Sequence, residues 1–393
     1  MFKDIVLVAP TRTPIGAYGG VFKQIPATEL GAAVIKETVK RAGLDPEKVD
    51  AVFMGNVVQA GNKMNPVRQA AMQGGLSPHT PAMTVNRVCG SGLQAVFNAV
   101  QEIALGTSAF AVAGGMENMD MAPYLVPGGR WGYRMGDASM YDSMLRDGLH
   151  DAFSDHHSGW HTEDLITKYN ISREEQDLWA YNSQARFARA QASGLFHEEI
   201  IGIEVKEKKG AVLISADTSN RPGTTLEALQ KLKAAFRPEG SLTAGNSPGL
   251  NTGAAAMVVT TLKNAKDQGI SPNARVLAYA VSAVEPGFFG IAPAPAIRLV
   301  LQRAGWRLED VDRFEINEAY AAVPLAVIKE LGLDAARVNV EGGAIAHGHP
   351  IGATGAILTT RLIHAMAREG LQKGVISLCI GGGQGVAMAI ERC

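Results

Sequence analysis

Cys89, in the segment NRVCGSGLQAV at 86–96, has the features of a catalytic nucleophile. The apolar residues that follow it recur at helical spacing, which places the cysteine at a helix N-terminus. Free backbone N–H groups at that position favour negative charge, so we expect the thiol pKa to be lowered. Gly90 and Gly92 leave room beside the sulfur for a bulky substrate. The alternative is a buried cysteine that only packs in the core.

A histidine in the second half of the chain occupies a similar place. His349 lies in GGAIAHGHPIGATG at 342–355, ahead of another apolar helical pattern. Two similar segments end at Asp50 and Asp312, and Cys89 and His349 follow those ends by 39 and 37 positions. A duplicated scaffold would aim both residues at one cleft, where His349 could act as the base for Cys89. A lone histidine is more often structural, but the matched placement favours the catalytic interpretation.

Cys379 and Asn317 each come at the end of an apolar strand pattern. Cys379 lies in VISLCIGGGQG at 375–385, and its glycines could suggest a phosphate-binding loop. Such a loop normally opens a helix, whereas here the strand-like VAMAI follows, so we expect backbone N–H groups that approach a ligand closely. Asn317 and Glu318 follow the strand pattern FEI, where polar residues of α/β proteins are often functional. A helix cap is the alternative for Asn317.

The elements that would position these residues are duplicated. RAGLDPEKVD at 41–50 recurs as RAGWRLEDVD at 303–312. Each copy is preceded by a strand pattern and a helix pattern and is followed by another apolar run, which is a βαβ signature. Parallel βαβ units need both faces of the sheet covered. The sequence therefore predicts a layered α/β fold with two pseudo-symmetric halves.

A long stretch in the first half has no counterpart in the second. It is less regular, with Gly-rich loops and charged helical patterns, and it is interpreted as an insertion. We assign residues 1–118 and 250–270 to the first half, 119–249 to an inserted loop domain, and 271–393 to the second half. The segment AAAMVVTTL, beginning at Ala254, is predicted to be the strand that closes the first half.

The composition narrows the class of protein. The chain has 393 residues, 46% of them hydrophobic and 19% charged, and a formal net charge of -1. Neither a nucleic acid nor a membrane partner is expected from that balance. Three cysteines are too few for a disulfide framework and lack metal-ligand spacing. The start MFKDIVLVAP lacks the features of a signal or transit peptide, and the end IERC is no peroxisomal address, so a cytoplasmic protein is expected.

Taken together, these motifs resemble those of the thiolase family over nearly the whole chain and in the family order. The matching segments are TRTPIG at 11–16, GNVVQAGNKMNPVRQAA at 55–71, NRVCGSGLQAV at 86–96, AGGMENM at 113–119, TAGNSPGLNTGAAA at 243–256, INEAY at 316–320, GGAIAHGHPIGATG at 342–355 and CIGGGQG at 379–385.

The resemblance implies a thiolase-like fold, in which two duplicated α/β halves form α-β-α-β-α layers and carry an inserted loop domain that binds coenzyme A. It implies that Cys89 takes the acyl group, that His349 activates it, and that Cys379 is the acid/base for the substrate α-carbon or the second thiol. One oxyanion hole would be His349 with a water held by Asn317. The other would be the backbone N–H groups of Cys89 and Gly381.

The reaction implied by the resemblance is a ping-pong Claisen condensation of two acyl-CoA molecules, or the reverse thiolysis of a 3-ketoacyl-CoA. Coenzyme A and acyl-CoA are then substrates, and no permanently bound cofactor or metal is expected. The resemblance also implies a homotetramer, a dimer of dimers, with 123–136 as a tetramer contact. The residues expected to contact the substrate are His157, Arg221, Ser247 and Phe289.

Arg221 is chosen from a run of basic residues for which a solvated surface is the alternative. This run comprises Lys206, Lys208, Lys209, Arg221, Lys231, Lys233 and Arg237.

Several positions depart from the family pattern near the acyl and coenzyme sites. The usual Asn-Ala-Ser-Gly is Asn246 to Gly249 here, with Ser247 and Pro248 in the middle, which shifts the serine. The other departures are Ser158 for Met, Phe289 for Met, Tyr320 for Phe, and His347 for an apolar residue. The preferred acyl chain and the physiological direction are left open by these differences.

Two other functions fit parts of the sequence. A ketoacyl synthase shares this fold and a nucleophilic cysteine, but it would need a second histidine where Cys379 stands. A non-catalytic acyl-CoA-binding protein of the same fold would be expected to lack Cys89, His349 or Cys379, and all three are present.

Overall fold

The computed structural model describes residues 4–208 and 210–393. The strands, in chain order, are β1 (Ile5–Arg12), β2 (Gly16–Ala17), β3 (Ala51–Gly55), β4 (Ala82–Val85), β5 (Phe110–Asn118), β6 (Tyr124–Leu125), β7 (Tyr141–Asp142), β8 (Ile203–Glu207), β9 (Gly210–Ile214), β10 (Asn251–Thr261), β11 (Ala274–Ala283), β12 (Arg313–Ile316), β13 (Lys373–Ile380) and β14 (Gln384–Arg392). The α-helices are α1 (Ala27–Arg41), α2 (Pro66–Gln73), α3 (Ser91–Leu105), α4 (Ser158–Lys168), α5 (Arg173–Ala192), α6 (Leu226–Gln230), α7 (Leu262–Asp267), α8 (Pro293–Ala304), α9 (Ala322–Leu331), α10 (Ala344–His347) and α11 (Thr354–Glu369).

The large sheet is mixed rather than purely parallel. Its strand order is β12-β13-β14-β11-β1-β10-β5-β3-β4, and β2 also pairs with β10. Strand β3 runs parallel to β4 and β5, and β12 runs parallel to β13, whereas the remaining pairs are antiparallel. The two halves join where β1 meets β11, with Val6 opposite Arg275 and Leu7 opposite Ala274.

The duplication predicted from the sequence is confirmed in detail. Helices α1 and α8 are each followed by a glycine with positive φ. Gly43 lies in the loop after α1, and Gly305 comes directly after α8. A short 3-10 turn follows in each case. Asp50 then accepts hydrogen bonds from the backbone N–H groups at the start of β5, and Asp312 does the same at the start of β13. The two copies therefore have the same local structure as well as similar sequences.

Helices α3 and α11 form the central layer of the fold. Their apolar faces pack in one core with the inner faces of β1, β3, β5 and β10 from the first half and β11, β13 and β14 from the second. Helices α1 and α2 cover the outer face of the first half, and α8 and α9 cover that of the second. The predicted α-β-α-β-α arrangement is confirmed, and it brings the N-termini of α3 and α11 together.

The segment between β5 and β10 contains β6 to β9 and α4 to α6, and it is tied to the first half through a buried arginine. Arg12, at the end of β1, donates to Glu199 at 2.7 Å and to Asp217 at 2.7 and 2.9 Å. All three side chains are buried. Removing one partner of such a pair would leave an unpaired buried charge, at a cost of about 3–5 kcal/mol. Among residues 4–208 and 210–393, no helix has the length and apolar character needed to cross a membrane.

Candidate active site

Cys89 lies in a strained turn between β4 and α3. The residue before it, Val88, has a positive φ of 45°, which is unfavourable for a β-branched side chain and is found mostly where function requires it. Ser91 stabilises the turn, because its hydroxyl donates to Val88 O at 2.7 Å and accepts from Arg87 N at 2.8 Å. Helix α3 begins at Ser91, so Cys89 does precede a helix N-terminus.

The prediction of a lowered thiol pKa for Cys89 is wrong for this environment. Burial raises the pKa of Cys89 to about 11, and the nearby carboxylate of Glu117 raises it further. The backbone N–H groups of Gly381 and of Cys89 itself act in the opposite direction, because they can donate to the sulfur. Desolvation outweighs these donors, so Cys89 rests as a thiol and would need a base to act as a nucleophile.

The geometry of His349 suits the role of such a base. Its Nδ1 lies 2.7 Å from the hydroxyl of Thr354, and that hydroxyl donates to Pro350 O at 2.8 Å. The Thr354 oxygen must therefore accept from Nδ1–H, which leaves Nε2 unprotonated, 3.3 Å from Asn317 Nδ2. Burial lowers the pKa of His349 to about 4, so the ring is neutral near pH 7 and can accept a proton.

Cys379 is fully buried at the end of β13, directly before the turn formed by Gly381, Gly382 and Gly383. The positive φ values of Gly382 and Gly383, 83° and 84°, explain the glycines in the tight turn to β14. Burial raises the pKa of Cys379 well above its usual value, and the neighbouring Cys89 raises it further. Cys89 is therefore close enough to Cys379 to affect the pKa of its thiol.

A cavity of about 900 Å³ lies in front of these groups. It is lined by seven of the nine residues that the sequence singled out, namely Cys89, His349, Gly381, His157, Arg221, Ser247 and Phe289. The other two are buried just behind the wall, with Asn317 in contact with His349 and Cys379 coupled to Cys89. The structure thus gathers every predicted site residue at one place.

A hydroxyl pair in the cavity wall was not anticipated from the sequence as an interaction. Ser158 Oγ lies 2.8 Å from Tyr320 OH, which in turn lies 3.5 Å from His157 Nδ1. Burial raises the pKa of Tyr320, and the nearby Cys89 and Cys379 raise it further. The sequence does contain a signal for this pair, because Ser158 and Tyr320 both depart from the family pattern. A sequence alone does not show that two departures 162 positions apart touch.

Two further residues support the site without having been predicted. Thr354 fixes the tautomer of His349, and Glu117 accepts hydrogen bonds from the backbone N–H of Gly352, in the loop between His349 and Thr354. Both lie within motifs matched from the sequence, but nothing in those motifs shows which side chain faces which. Within the described residues, no group of three or more His, Cys, Asp or Glu side chains could hold a metal ion.

Comparison with known proteins decides the family. Residues 5–263 match the model of the thiolase N-terminal domain, and residues 270–392 match that of the thiolase C-terminal domain. The chain belongs to the thiolase family. Thiolases are acyl-CoA acyltransferases, so the enzyme class predicted from the sequence is confirmed.

Similar thiolases cover the full length of the chain. An acetyl-CoA acetyltransferase of Pseudomonas aeruginosa is 51% identical over 391 residues, which are 99% of this chain and 100% of the relative. One of Cupriavidus necator is 48% identical over 390 residues, 99% of each chain. The crystal structure of the Bacillus anthracis acetyl-CoA acetyltransferase superposes with a TM-score of 0.98 at 43% identity, covering 100% of this chain and 99% of that one.

Proposed function

We propose that this thiolase transfers acyl groups between coenzyme A thioesters through an acyl-Cys89 intermediate, in condensation of two acetyl-CoA molecules or thiolysis of a 3-ketoacyl-CoA. The observation that carries the proposal is that Cys89, His349 and Gly381 line one cavity, with Cys379 buried behind its wall near Cys89. The names of the similar proteins, acetyl-CoA acetyltransferases, support acetyl-CoA as a substrate.

The first step is the attack of Cys89 on the thioester carbonyl. Because the thiol pKa is high and the imidazole pKa is low, a stable thiolate–imidazolium pair is disfavoured. The proton therefore moves from Sγ to His349 Nε2 as the sulfur–carbon bond forms, and the negative charge develops on the carbonyl oxygen. The backbone N–H groups of Cys89 and Gly381 are candidate donors to that oxygen, and such a donor can contribute about 3 kcal/mol.

A second oxyanion site is proposed at His349 and Asn317. In the second half-reaction the carbonyl oxygen of the attacking thioester becomes enolate-like and needs its own donors. His349 Nε2 and the amide of Asn317 lie side by side, and the buried Asn317 Oδ1 has no hydrogen-bond partner in the part of the chain that the structure describes. An ordered water could use that oxygen and present a proton to the enolate.

Coenzyme A is proposed to enter past Ser247, His157 and Phe289. The hydroxyl of Ser247 is buried, lines the cavity and has no hydrogen-bond partner among the described residues, as expected of a group that meets a ligand amide. Phe289 contributes an apolar wall. Burial and the neighbouring His150 lower the pKa of His157 to about 4, so His157 would meet the coenzyme as a neutral ring.

The activity is tested by following the absorbance of the acetoacetyl-CoA enolate after addition of coenzyme A. We expect the absorbance to fall only when enzyme, acetoacetyl-CoA and coenzyme A are all present, with two acetyl-CoA formed per turnover. Parallel rates with longer 3-ketoacyl-CoA substrates would define the acyl preference. No consumption of any 3-ketoacyl-CoA by folded wild-type enzyme would contradict the proposal.

Arg221→Ala is expected to raise the KM for coenzyme A about fivefold, with kcat little changed, because an exposed charge contact contributes up to about 1 kcal/mol. Arg221 is exposed at the cavity rim, whereas Arg237 of the same basic run is held by Asp164 at 2.8 Å. Lys209 of that run lies outside the described residues.

The control for Arg221→Ala is Arg307→Ala, which removes an exposed arginine paired with Asp310 away from the cavity. Wild-type KM should rise with added salt, and the Arg221 variant should respond less. Equal KM values in the two variants, with no effect of salt, would remove Arg221 from the coenzyme site.

The domain limits, assembly and location stay part of this proposal. We assign 1–118 with 250–270 and 271–393 to the two halves, and 119–249 to an inserted coenzyme-binding domain. A homotetramer is proposed because the 123–136 segment exposes large apolar side chains, with Trp131 88% and Met135 90% exposed. A cytoplasmic location is consistent with three free cysteines. Light scattering of the purified protein tests the tetramer.

A further inference from the structure

Glu117, at the end of β5, is a buried carboxylate for which the reaction steps above have no use. Its Oε1 accepts from Asn56 Nδ2 at 2.7 Å and from the backbone N of Val58 at 3.2 Å. Its Oε2 accepts from the backbone N of Val57 at 3.0 Å and of Gly352 at 2.8 Å. Four hydrogen bonds to one fully buried side chain are typical of a carboxylate with a specific role rather than of a residue that only fills space.

The partners of Glu117 belong to the two halves of the catalytic machinery. Gly352 lies between His349 and Thr354, the residue that fixes the His349 tautomer. Val57 and Ile351 pack in the same small apolar cluster as Cys89. Glu117 therefore binds two backbone segments. One is residues 56–58, where Val57 packs with Cys89, and the other is the loop that carries His349.

The backbones meet here without side chains between them, so a displacement would be transmitted directly. A Cβ at Gly55 would lie 2.2 Å from Gly352 O and 2.7 Å from Gly92 N, and one at Gly352 would lie 2.8 Å from Glu117 Oε2. The end of β3, the start of α3 and the His349 loop are thus in contact at one point. The hydrogen bonds of Glu117 hold two of these segments, the end of β3 and the His349 loop, in register.

We propose that Glu117 is a positioning residue that fixes the His349 loop against residues 56–58, which pack beside the Cys89 turn. Its negative charge also disfavours the thiolate of Cys89. This inference rests on the proposed acyl-Cys89 chemistry. Burial is the main cause of the raised pKa of Cys89, and the nearby Glu117 carboxylate adds to it. Burial raises the pKa of Glu117 to about 7, so it is mostly ionised at pH 8.5.

The two roles give effects of opposite sign in Glu117→Gln, and a purely structural role would not. In Glu117→Gln, the NH₂ group of the glutamine cannot accept hydrogen bonds from backbone N–H groups. The bonds to Gly352 or to residues 56–58 are therefore lost, and acylation of Cys89 by acetyl-CoA should slow by about 10-fold to 100-fold. Removal of the negative charge should instead speed alkylation of Cys89 by iodoacetamide at pH 8.5. The KM for coenzyme A should change less than threefold, because Glu117 does not line the cavity.

Glu117→Asp separates position from charge. It keeps the carboxylate but shortens its reach, so alkylation of Cys89 should return to the wild-type rate while acylation stays slow. Asn56→Ala removes one of the four donors and serves if the Glu117 variants fold poorly, with an expected loss of a few fold in acylation. Asp50→Asn is the matched control, because Asp50 accepts two backbone N–H groups at the opposite end of β5.

The measurements are the rate of acetyl-Cys89 formation by rapid-quench mass spectrometry, the alkylation rate of Cys89 by peptide mapping, and the thermal unfolding midpoint. If wild-type enzyme acylates and Glu117→Gln acylates within twofold of it, the positioning role is wrong while the proposed function stands. The same is concluded if Asp50→Asn slows acylation as much as Glu117→Gln does. If wild-type enzyme forms no acyl-Cys89, the proposed function itself fails. Slower acylation with unchanged alkylation would overturn the charge role alone.

Discussion

Cys89→Ala is expected to form no acyl-enzyme and to lose on the order of 10⁴-fold or more in thiolysis rate, because the variant has no nucleophile to accept the acyl group. The alanine removes only the sulfur from a position that is partly exposed to the cavity, so the fold and coenzyme binding should persist. Intact mass after incubation with acetyl-CoA should show one acetyl group on wild-type protein and none on the variant.

Cys89→Ser should also abolish acyl transfer, since a serine hydroxyl has a far higher pKa than a thiol and His349 is a weak base. Exposed Cys393 could take up an acetyl group nonspecifically, so both variants are compared in a Cys393→Ser background. An acetyl adduct that persists in Cys89→Ala on that background would contradict the assignment. Matching thermal unfolding of variant and wild type would show that the loss is chemical.

The joint placement of Cys89 and His349 could be predicted because it depends on local patterns repeated along the chain. The repeated segments that end at Asp50 and Asp312 form the same helix end and turn, and each is followed at nearly equal distance by a residue that faces the cleft. The helix that Cys89 precedes is predicted by the apolar spacing, and in the structure it ends at a C-cap glycine, Gly106. Apolar periodicity predicts such helices, and glycines that follow them predict where the helices end.

The protonation states could not be predicted from the same patterns. A helix N-terminus is visible in sequence and argues for a lowered thiol pKa, but burial acts the other way and depends on what the other half of the fold places around Cys89. Desolvation raises the pKa of Cys89 to about 11 and lowers that of His349 to about 4. The contacts of Glu117 with Gly352 and of Ser158 with Tyr320 span 235 and 162 positions, so no local signal reports them.

Cys379 must also be seen differently once its burial is known. Its unperturbed pKa, about 8.5 for a free thiol, suggested a base matched to working pH. Burial and Cys89 raise the pKa well above its usual value, so the resting group is a thiol and thus an acid. We propose that, in thiolysis, attack of Cys89 on the 3-keto carbon expels an acetyl-CoA carbanion and Cys379 gives its proton to that carbon. In the proposed second step, the Cys379 thiolate takes the proton of incoming coenzyme A, whose sulfur attacks acyl-Cys89 and displaces the Cys89 sulfur, which regains its proton from His349.

Cys379→Ser is therefore expected to slow thiolysis of acetoacetyl-CoA by about 10² to 10⁴-fold, the usual contribution of a proton-transfer group. Acylation of Cys89 by acetyl-CoA should fall no more than about tenfold, because coenzyme A leaves as a thiolate of moderate basicity and needs little help from an acid. A carbanion, in contrast, cannot leave or form at a useful rate without a proton carrier beside it.

The two rates are measured separately on the same Cys379→Ser preparation, acylation by rapid-quench mass spectrometry and thiolysis by loss of the enolate absorbance. The matched control is Ser377→Ala, two residues earlier on β13, where the buried hydroxyl donates only to Val386 O at 2.8 Å and no proton transfer is proposed. That variant tests whether a change within β13 alone disturbs the site, and it should reduce both rates modestly and equally. Equal losses of acylation and thiolysis in Cys379→Ser, or no loss in either, would show that Cys379 does not transfer the α-carbon proton. The proton-transfer group would then be one of the cavity-lining residues near both sulfurs, and Tyr320 would be the first candidate.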